Sequence, residues 1–235
     1  EAREFFGALG RGFGIYAPAH LGPALAQACE ANQWPRLSDA PGMVLRERVQ
    51  PMAAGPGVEL RPLRSDTEAD HFVEVCAQAY ESIGLPADVS RKLFSCRERW
   101  QRRPYLLGSL VYEHERPVAA ALLLFSHGIA GVYWVGTLPE ARGRGHASFL
   151  MRSISNHAFD CGARCVVLQA TPLGEPVYRK LGYQEFTRYP WYLLADSPEG
   201  VRREAELAGK VPPEQKTESD VRKGFVYKRV PHVTL

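Results

Sequence analysis

The strongest constraint on the fold is a run of three apolar segments between residues 104 and 138. Two short turn candidates, Glu113 to Pro117 and Ser126 to Ala130, divide this run. Connections this short join antiparallel neighbours and leave no room for a crossover helix. The run therefore predicts a three-stranded antiparallel meander.

The flanking segments predict further strands and helices around this meander. Ser65 to Glu68 reads as a capping box, which starts a helix whose apolar residues recur at helical spacing. The remaining predictions are strands at 58–63, 165–170 and 183–194, and helices at 88–100, 143–161 and 175–181. The order β-α-α-β-β-β-α-β-α-β predicts an α/β (α+β) mixed sheet with helices packed on it.

Composition excludes several classes of protein. With 235 residues, 45% of them hydrophobic and 23% charged, the chain can bury an ordinary globular core. A formal charge of +3 gives no argument for nucleic acid. Five cysteines without a CxxC pair suit a reducing compartment better than a disulfide framework or a metal site. No apolar run is long enough for a membrane span. The sequence thus predicts a cytoplasmic protein without a metal.

Two glycines alternate with two arginines where the meander ends and the next helix begins, in Arg142-Gly143-Arg144-Gly145. Backbone amides at a helix start, aided by the helix dipole, stabilise an anion, and glycines let a ligand approach the backbone. The alternative is a tight strand-to-helix turn with solvated arginines. The residues alone leave both open.

Two known phosphate-binding motifs do not fit this stretch. A Walker loop requires GxxxxGK followed by Ser or Thr, and neither Lys-Ser nor Lys-Thr follows the glycines. A dinucleotide fingerprint requires GxGxxG within a βαβ unit, but Ser148 occupies the third glycine position. The preceding strands also form a meander rather than a crossover.

The stretch resembles the signature Q/R-x-x-G-x-G/A of the GNAT superfamily of acyl-CoA-dependent N-acyltransferases, with Arg142 first and Ala147 last. Downstream, Tyr178 to Tyr183 resembles that family's Y-x-x-x-G-F/Y pattern. The likeness covers about residues 58 to 195. It implies the GNAT fold, which is a mostly antiparallel sheet with a splayed parallel strand pair and flanking helices.

The resemblance also implies an activity: transfer of an acetyl group from acetyl-CoA to a primary amine, which attacks the thioester directly. Backbone groups of Val135, Gly136 and Thr137 would bind the pantetheine arm. Tyr178 would protonate the leaving thiolate. Backbone amides of the glycine loop would hold the pyrophosphate, from Arg142, Gly143, Arg144, Gly145, His146 and Ala147. The acceptor amine would belong to a small molecule or a protein.

The sequence leaves the roles of several side chains open. His146 either lies near the phosphate at the helix surface or packs, and Thr171 stands where many family members have an asparagine that touches the cofactor. Glu81 and Tyr133 are candidates for the general base, neither of them assigned. Four aromatic residues are candidates for an acceptor pocket: Tyr80, Trp134, Tyr189 and Trp191. A non-catalytic acyl-CoA-binding regulatory module is the alternative function.

A Pro/Gly-rich break and changes in composition divide the chain into four parts. Residues 1–50 predict a strand-helix-strand extension and the Pro/Gly-rich residues 51–57 a linker. Residues 58–195 form the predicted acetyltransferase domain, and 196–235 a charged tail. The extension resembles the end of the core domain, which suggests a remnant of a duplicated half. An unrelated extension that completes the sheet or makes a homodimer surface is the alternative.

Overall fold

One mixed sheet organises the computed structural model, which describes residues 2–9, 12–83, 85–97, 100–101 and 103–194. Within these residues the sheet has eight strands in the order β1-β8-β2-β7-β6-β5-β4-β3. The strands are Phe13–Tyr16 (β1), Arg36–Leu45 (β2), Val58–Pro62 (β3), Leu106–Glu113 (β4), Arg116–Ser126 (β5), Ile129–Thr137 (β6), Cys165–Gln169 (β7) and Gln184–Leu194 (β8). The helices are Ala2–Ala8 (α1), Ala24–Ala31 (α2), Asp66–Glu81 (α3), Ala87–Leu93 (α4), His146–Asp160 (α5) and Glu175–Lys180 (α6). The predicted charged tail lies outside the described residues.

The predicted fold class is confirmed. Strands β4, β5 and β6 form the antiparallel meander. Among the described strands, β6 and β7 are the one parallel pair. Residues Val118 to Leu123 of β5 are all buried, so both faces of the sheet are covered here. Helices α3 and α5 cover them, since each packs on β4, β5 and β6.

The capping box at the start of α3 is present as predicted. The Ser65 hydroxyl accepts from the Glu68 backbone N–H, and the Glu68 carboxylate accepts from the Ser65 N–H. These reciprocal bonds satisfy two backbone donors that the first helical turn leaves open. Burial of the Glu68 carboxyl raises its pKa. The hydrogen bonds that this carboxyl accepts from backbone N–H groups and from the Ser65 hydroxyl outweigh that effect, so its pKa lies below the usual value. The helix then buries its apolar stripe, including Phe72, Val75 and Cys76.

Helix α4 is shorter than predicted. The sequence indicates a helix to about Trp100, but α4 ends at Leu93. The reason is tertiary: Phe94 and Trp100 both pack on Phe72, with ring centroids 5.3 and 5.6 Å away. The Trp100 indole N–H donates to the Phe94 carbonyl at 3.1 Å. The chain leaves the helix so that both rings reach this core position.

The N-terminal strands interleave with the C-terminal ones. Strand β2 lies between β7 and β8, and β8 lies between β1 and β2, with all these pairs antiparallel. Helix α2 packs near Tyr192 of β8 through Cys29, and the Tyr192 hydroxyl donates to Glu30 at 2.9 Å. The residues before the linker thus share one sheet with those after it. Within the described part of the chain, no helix has the length and apolar character needed to cross a bilayer.

Candidate active site

The parallel strands β6 and β7 diverge, and a cleft opens between them. They pair only where Ile129 to Gly131 lie opposite Cys165 to Val167. The cleft has a volume of about 680 Å³. Its walls come from the end of α3, strand β6, the glycine loop, the start of α5, the end of β7 and helix α6. The lining residues are Ala79, Tyr80, Ile83, Val132, Tyr133, Trp134, Val135, Gly136, Thr137, Ala141, Arg142, Gly143, Gly145, His146, Ala147, Ser148, Leu168, Gln169, Thr171, Leu173, Gly174, Val177 and Tyr178.

A bulge in β6 accompanies the divergence. Ala120 of β5 lies opposite Gly136, but Leu122 lies opposite Tyr133, so three steps on β6 face two on β5. Trp134 sits in this bulge with φ +54°, the left-handed region that a non-glycine residue rarely adopts. An extra residue in one strand bends that strand and increases its twist. The bulge therefore helps to turn β6 away from β7.

Beyond the bulge, β6 presents a backbone edge to the cleft, although the Thr137 carbonyl is already bound by the Arg142 guanidinium. Gly136 and Thr137 pair with β5 on one side, while their other side faces the cleft together with Val135. An extended ligand can add to such an edge as a further strand would. Gly136 is also a packing position, because a Cβ built there would lie 2.8 Å from the Cβ of Ala79 on α3.

The glycine loop leads directly into α5. Gly143 and Gly145 have φ of +75° and +85°, so both positions favour glycine. Gly145 is the N-cap of α5, and no side chain caps this helix start. The first N–H groups of α5 therefore lack a side-chain acceptor and point, with the positive end of the helix dipole, at the cleft. This geometry suits an anion.

The two arginines of the loop bind the protein itself. The Arg142 guanidinium donates to the carbonyls of Thr137 (3.2 Å) and Ala79 (3.3 Å) and to the Ser82 hydroxyl. Arg144 pairs with Glu113 at the end of β4 and is absent from the lining of the cleft. Both side chains hold the loop in place, so its backbone amides are the groups left to meet an anion.

His146, the first residue of α5, is buried and lines the cleft. Its Nε2 has no hydrogen-bond partner and lies 3.6 Å from Glu113 Oε1. Of the two interpretations from the sequence, this burial favours packing over a position at the helix surface. Its neighbour Ala147 lines the cleft as well.

Tyr178 projects from α6 into the wall of the cleft. Its ring covers Gly174, where a Cβ would lie 2.7 Å from Tyr178 Cε2, and its centroid is 5.8 Å from that of Tyr183. Burial raises the pKa of the Tyr178 hydroxyl well above its usual range. The hydroxyl therefore stays protonated at neutral pH and is available as a proton donor.

The family assignment follows from these features and from comparison with known proteins. Residues 73–183 match the sequence model of the Acetyltransferase (GNAT) family. The cleft, the loop and Tyr178 all lie within or beside this range. Residues 73–183 belong to the GNAT superfamily. The match begins inside α3 and ends just before β8, so it includes the whole meander, α5 and α6.

Solved GNAT structures share the fold. A GCN5-related N-acetyltransferase from Kribbella flavida is 20% identical with a TM-score of 0.66, over 85% of this chain and 74% of that one. One from Sphaerobacter thermophilus is 18% identical with a TM-score of 0.64, over 81% of this chain and 62% of that one. A functionally unknown conserved protein from Staphylococcus epidermidis is 12% identical with a TM-score of 0.58, over 83% and 77%. Among curated proteins, none matches the sequence.

The structure of this GNAT protein brings together most of the side chains singled out from the sequence. Tyr80, Tyr133 and Trp134 line the cleft, and the rings of Tyr80 and Trp134 lie 4.7 Å apart. Tyr133 is 53% exposed. In contrast, Glu81, Tyr189 and Trp191 are not part of the lining. Trp191 instead stacks on Tyr16 of β1 at 5.8 Å.

Thr171 lines the cleft but uses its hydroxyl locally. Thr171 Oγ1 and the Thr171 carbonyl both accept from the Gly174 N–H, at 3.1 and 3.0 Å, and the carbonyl also accepts from Glu175 N at 2.9 Å. These bonds shape the turn that starts α6. Sequence reasoning missed Gln169 and Leu173, which also line the cleft. Their positions depend on how far β7 diverges from β6, which no local pattern reports.

Proposed function

We propose that this GNAT protein transfers an acetyl group from acetyl-CoA to a primary amine. The observation that carries the proposal is the cleft itself, which joins an edge of β6 to the start of α5, where no side chain caps the helix. An acyl-CoA has a matching order of groups, with a pantetheine amide chain next to a pyrophosphate. The site can therefore bind both at once.

Each part of the site has a role in the proposal. Backbone groups of Val135, Gly136 and Thr137 pair with the amides of the pantetheine arm, as an added strand would. The amides of residues 142–147 bind the pyrophosphate at the start of α5. The thioester then lies deeper between β6 and β7, near the bulge.

The chemical step is a direct attack by the acceptor amine. The amine nitrogen forms a bond to the thioester carbonyl carbon, and the C–S bond breaks, which leaves an amide and the thiolate of CoA. Tyr178 donates its proton to that thiolate. Burial raises the pKa of the Tyr178 phenol, so the group is protonated before the reaction. The nitrogen loses its own proton to solvent or to a base.

A binding measurement with a matched pair of variants tests the cofactor site. We expect calorimetric titration to show micromolar affinity for acetyl-CoA and none for NAD or ATP. Gly145→Val should weaken acetyl-CoA binding at least about tenfold, or ~1.4 kcal/mol. A β-branched residue disfavours φ +85°, so the loop turns its amides away from the phosphates.

Gly162→Val is the control, because Gly162 also has φ +85° and open space but lies beyond the other end of α5. It should cost similar stability and leave acetyl-CoA binding intact. Equal affinity in Gly145→Val and the unaltered protein would contradict the loop assignment. Binding without turnover across a library of amines would favour a non-catalytic acyl-CoA-binding module instead.

A further inference from the structure

The segment that joins β2 to β3 is anchored along α5. Its residues 48–52, here called the strap, follow one face of this helix. Asn156 holds the middle of the strap: the Val49 N–H donates to Asn156 Oδ1 at 3.0 Å, and Asn156 Nδ2 donates to the Val49 carbonyl at 2.9 Å. This reciprocal pair imitates the exchange between two strand residues. It fixes the backbone of the strap at Val49.

Contacts on both sides of Val49 give the strap a direction. Arg48 pairs with Asp160, and Arg152 Nη1 donates to the Gln50 carbonyl at 2.6 Å. Each step of one residue towards the C-terminal end of the strap moves the contact on α5 four residues, or about one helical turn, towards the N-terminal end of the helix. The strap therefore runs antiparallel to α5, towards the start of that helix.

The strap ends at the glycine loop. The Met52 methyl carbon lies 3.4 Å from the point where a Cβ on Gly145 would be. Met52 is 42% exposed and does not line the cleft. It therefore reaches the loop from outside the cleft. A large apolar side chain is held, half exposed, beside the backbone amides that start α5.

We propose that Met52 forms one wall of the site for the nucleotide half of an acyl-CoA, and that the strap positions it there. This inference rests on the proposed function. A pyrophosphate at the loop carries two substituents, and the pantetheine arm occupies the cleft. The other substituent, with the ribose and adenine, then extends along the outer side of the loop, where Met52 lies. A thioether side chain adapts to irregular surfaces and contacts aromatic rings favourably.

The test compares two ligands in one variant. Met52→Ala should raise the Kd for acetyl-CoA about tenfold. It should leave the Kd for acetyl-pantetheine, which lacks the nucleotide, unchanged. Gln50→Ala is the matched control in the same strap, because only the backbone carbonyl of Gln50 is bound to α5. It should bind both ligands as the unaltered protein does.

A second variant tests the positioning. Asn156→Ala keeps Met52 but releases the strap at Val49, so acetyl-CoA binding should weaken in the same direction while acetyl-pantetheine binding stays unchanged. Unchanged affinity for acetyl-CoA in Met52→Ala, or an equal loss for both ligands, would overturn the inference alone. Failure of the unaltered protein to bind acetyl-CoA would overturn the proposed function, and this inference with it.

Discussion

The Tyr178 side chain shows how its surroundings set the chemistry of a single group. The ring is buried against Gly174 and near Tyr183, while the residue still lines the cleft. Desolvation disfavours the charged phenolate, so the pKa of the hydroxyl rises. A tyrosine in such a place stays protonated across the whole physiological pH range.

Tyr178→Phe tests this role at the scale of one oxygen atom. If Tyr178 protonates the thiolate, kcat should fall about 100-fold or more, with the Kd for acetyl-CoA nearly unchanged. Steady-state kinetics and calorimetry measure the two quantities separately. Tyr105→Phe, at an exposed tyrosine that does not line the cleft, is the control. An unchanged kcat at every pH would remove Tyr178 from the mechanism.

For Arg142 and Arg144, the sequence gives the residue type but does not give the role of the side chain. Both look suited to phosphate, since guanidinium groups bind it well. In the structure Arg142 joins β6 to the end of α3, and Arg144 meets Glu113. The carbonyl ends of α3 attract a cation through the helix dipole. Apart from Thr137, these partners come from distant parts of the chain, so no motif could name them.

At the scale of elements, the contact between α3 and β6 defines one wall of the cleft. Ala79 and Gly136 meet with so little space that an added methyl on Gly136 would come within 2.8 Å of the Ala79 Cβ. Small residues on both sides therefore allow the helix to lie close to the strand. The strand edge used by the proposed cofactor stands next to this contact.

We expect Gly136→Ala to lower the free energy of unfolding by about 1–3 kcal/mol, because the helix or strand must shift. Ala79→Gly by itself should cost about 1 kcal/mol through helix propensity. Added to Gly136→Ala, it should recover part of the loss, since it removes the opposing methyl. Denaturant titration of the two single variants and the double variant measures this coupling. Additive losses would contradict the close contact.

At the scale of the whole molecule, buried tyrosines link stability to alkaline pH. Burial raises the pKa of Tyr183 and Tyr178 well above the usual range, and raises that of Tyr192 to about 12. Above pH about 10 the unfolded chain loses phenolic protons that the folded protein keeps. The unfolded state then binds fewer protons, so the free energy of unfolding falls as pH rises.

We therefore expect stability to decrease between pH 10 and 12, with each such tyrosine contributing up to about 1.4 kcal/mol per pH unit. Tyr183→Phe should show a shallower decrease, although it loses the bond to Ser155 at every pH. Tyr105→Phe, at an exposed position, should keep the slope of the unaltered protein. Denaturant titrations at several pH values measure the slopes. Identical slopes in all three proteins would disprove the linkage.

The interleaved strands make the sheet a single unit across the linker. The chain contains two strand-helix-strand segments, β1-α2-β2 and β7-α6-β8. Strand β8 lies between the two strands of the first segment, and β2 lies between the two strands of the second. Exchanging the two segments gives the same order read from the opposite end. Such symmetry is what two copies of one half would produce. The duplication stays a prediction, as do the four parts assigned to the chain.

Local patterns in the sequence determined the elements that depend on neighbours along the chain. The capping box of α3 and the loop before α5 rest on residues a few positions apart, and the strands of the meander pair residues at most 18 positions apart. The structure contains each of these features. Two motifs in order also identified the superfamily. Where a local pattern and a distant contact compete, as at Trp100, the pattern alone was insufficient.

Tertiary structure alone decided the features that join distant residues. The place of β2 between β7 and β8 joins strands more than 100 residues apart, and an apolar strand does not specify its partner. The cleft exists because β6 bulges and diverges from β7, and Met52 reaches the glycine loop because Asn156 holds Val49. Backbone pairing and side-chain packing across long loops set these distances, and a linear pattern contains no record of them.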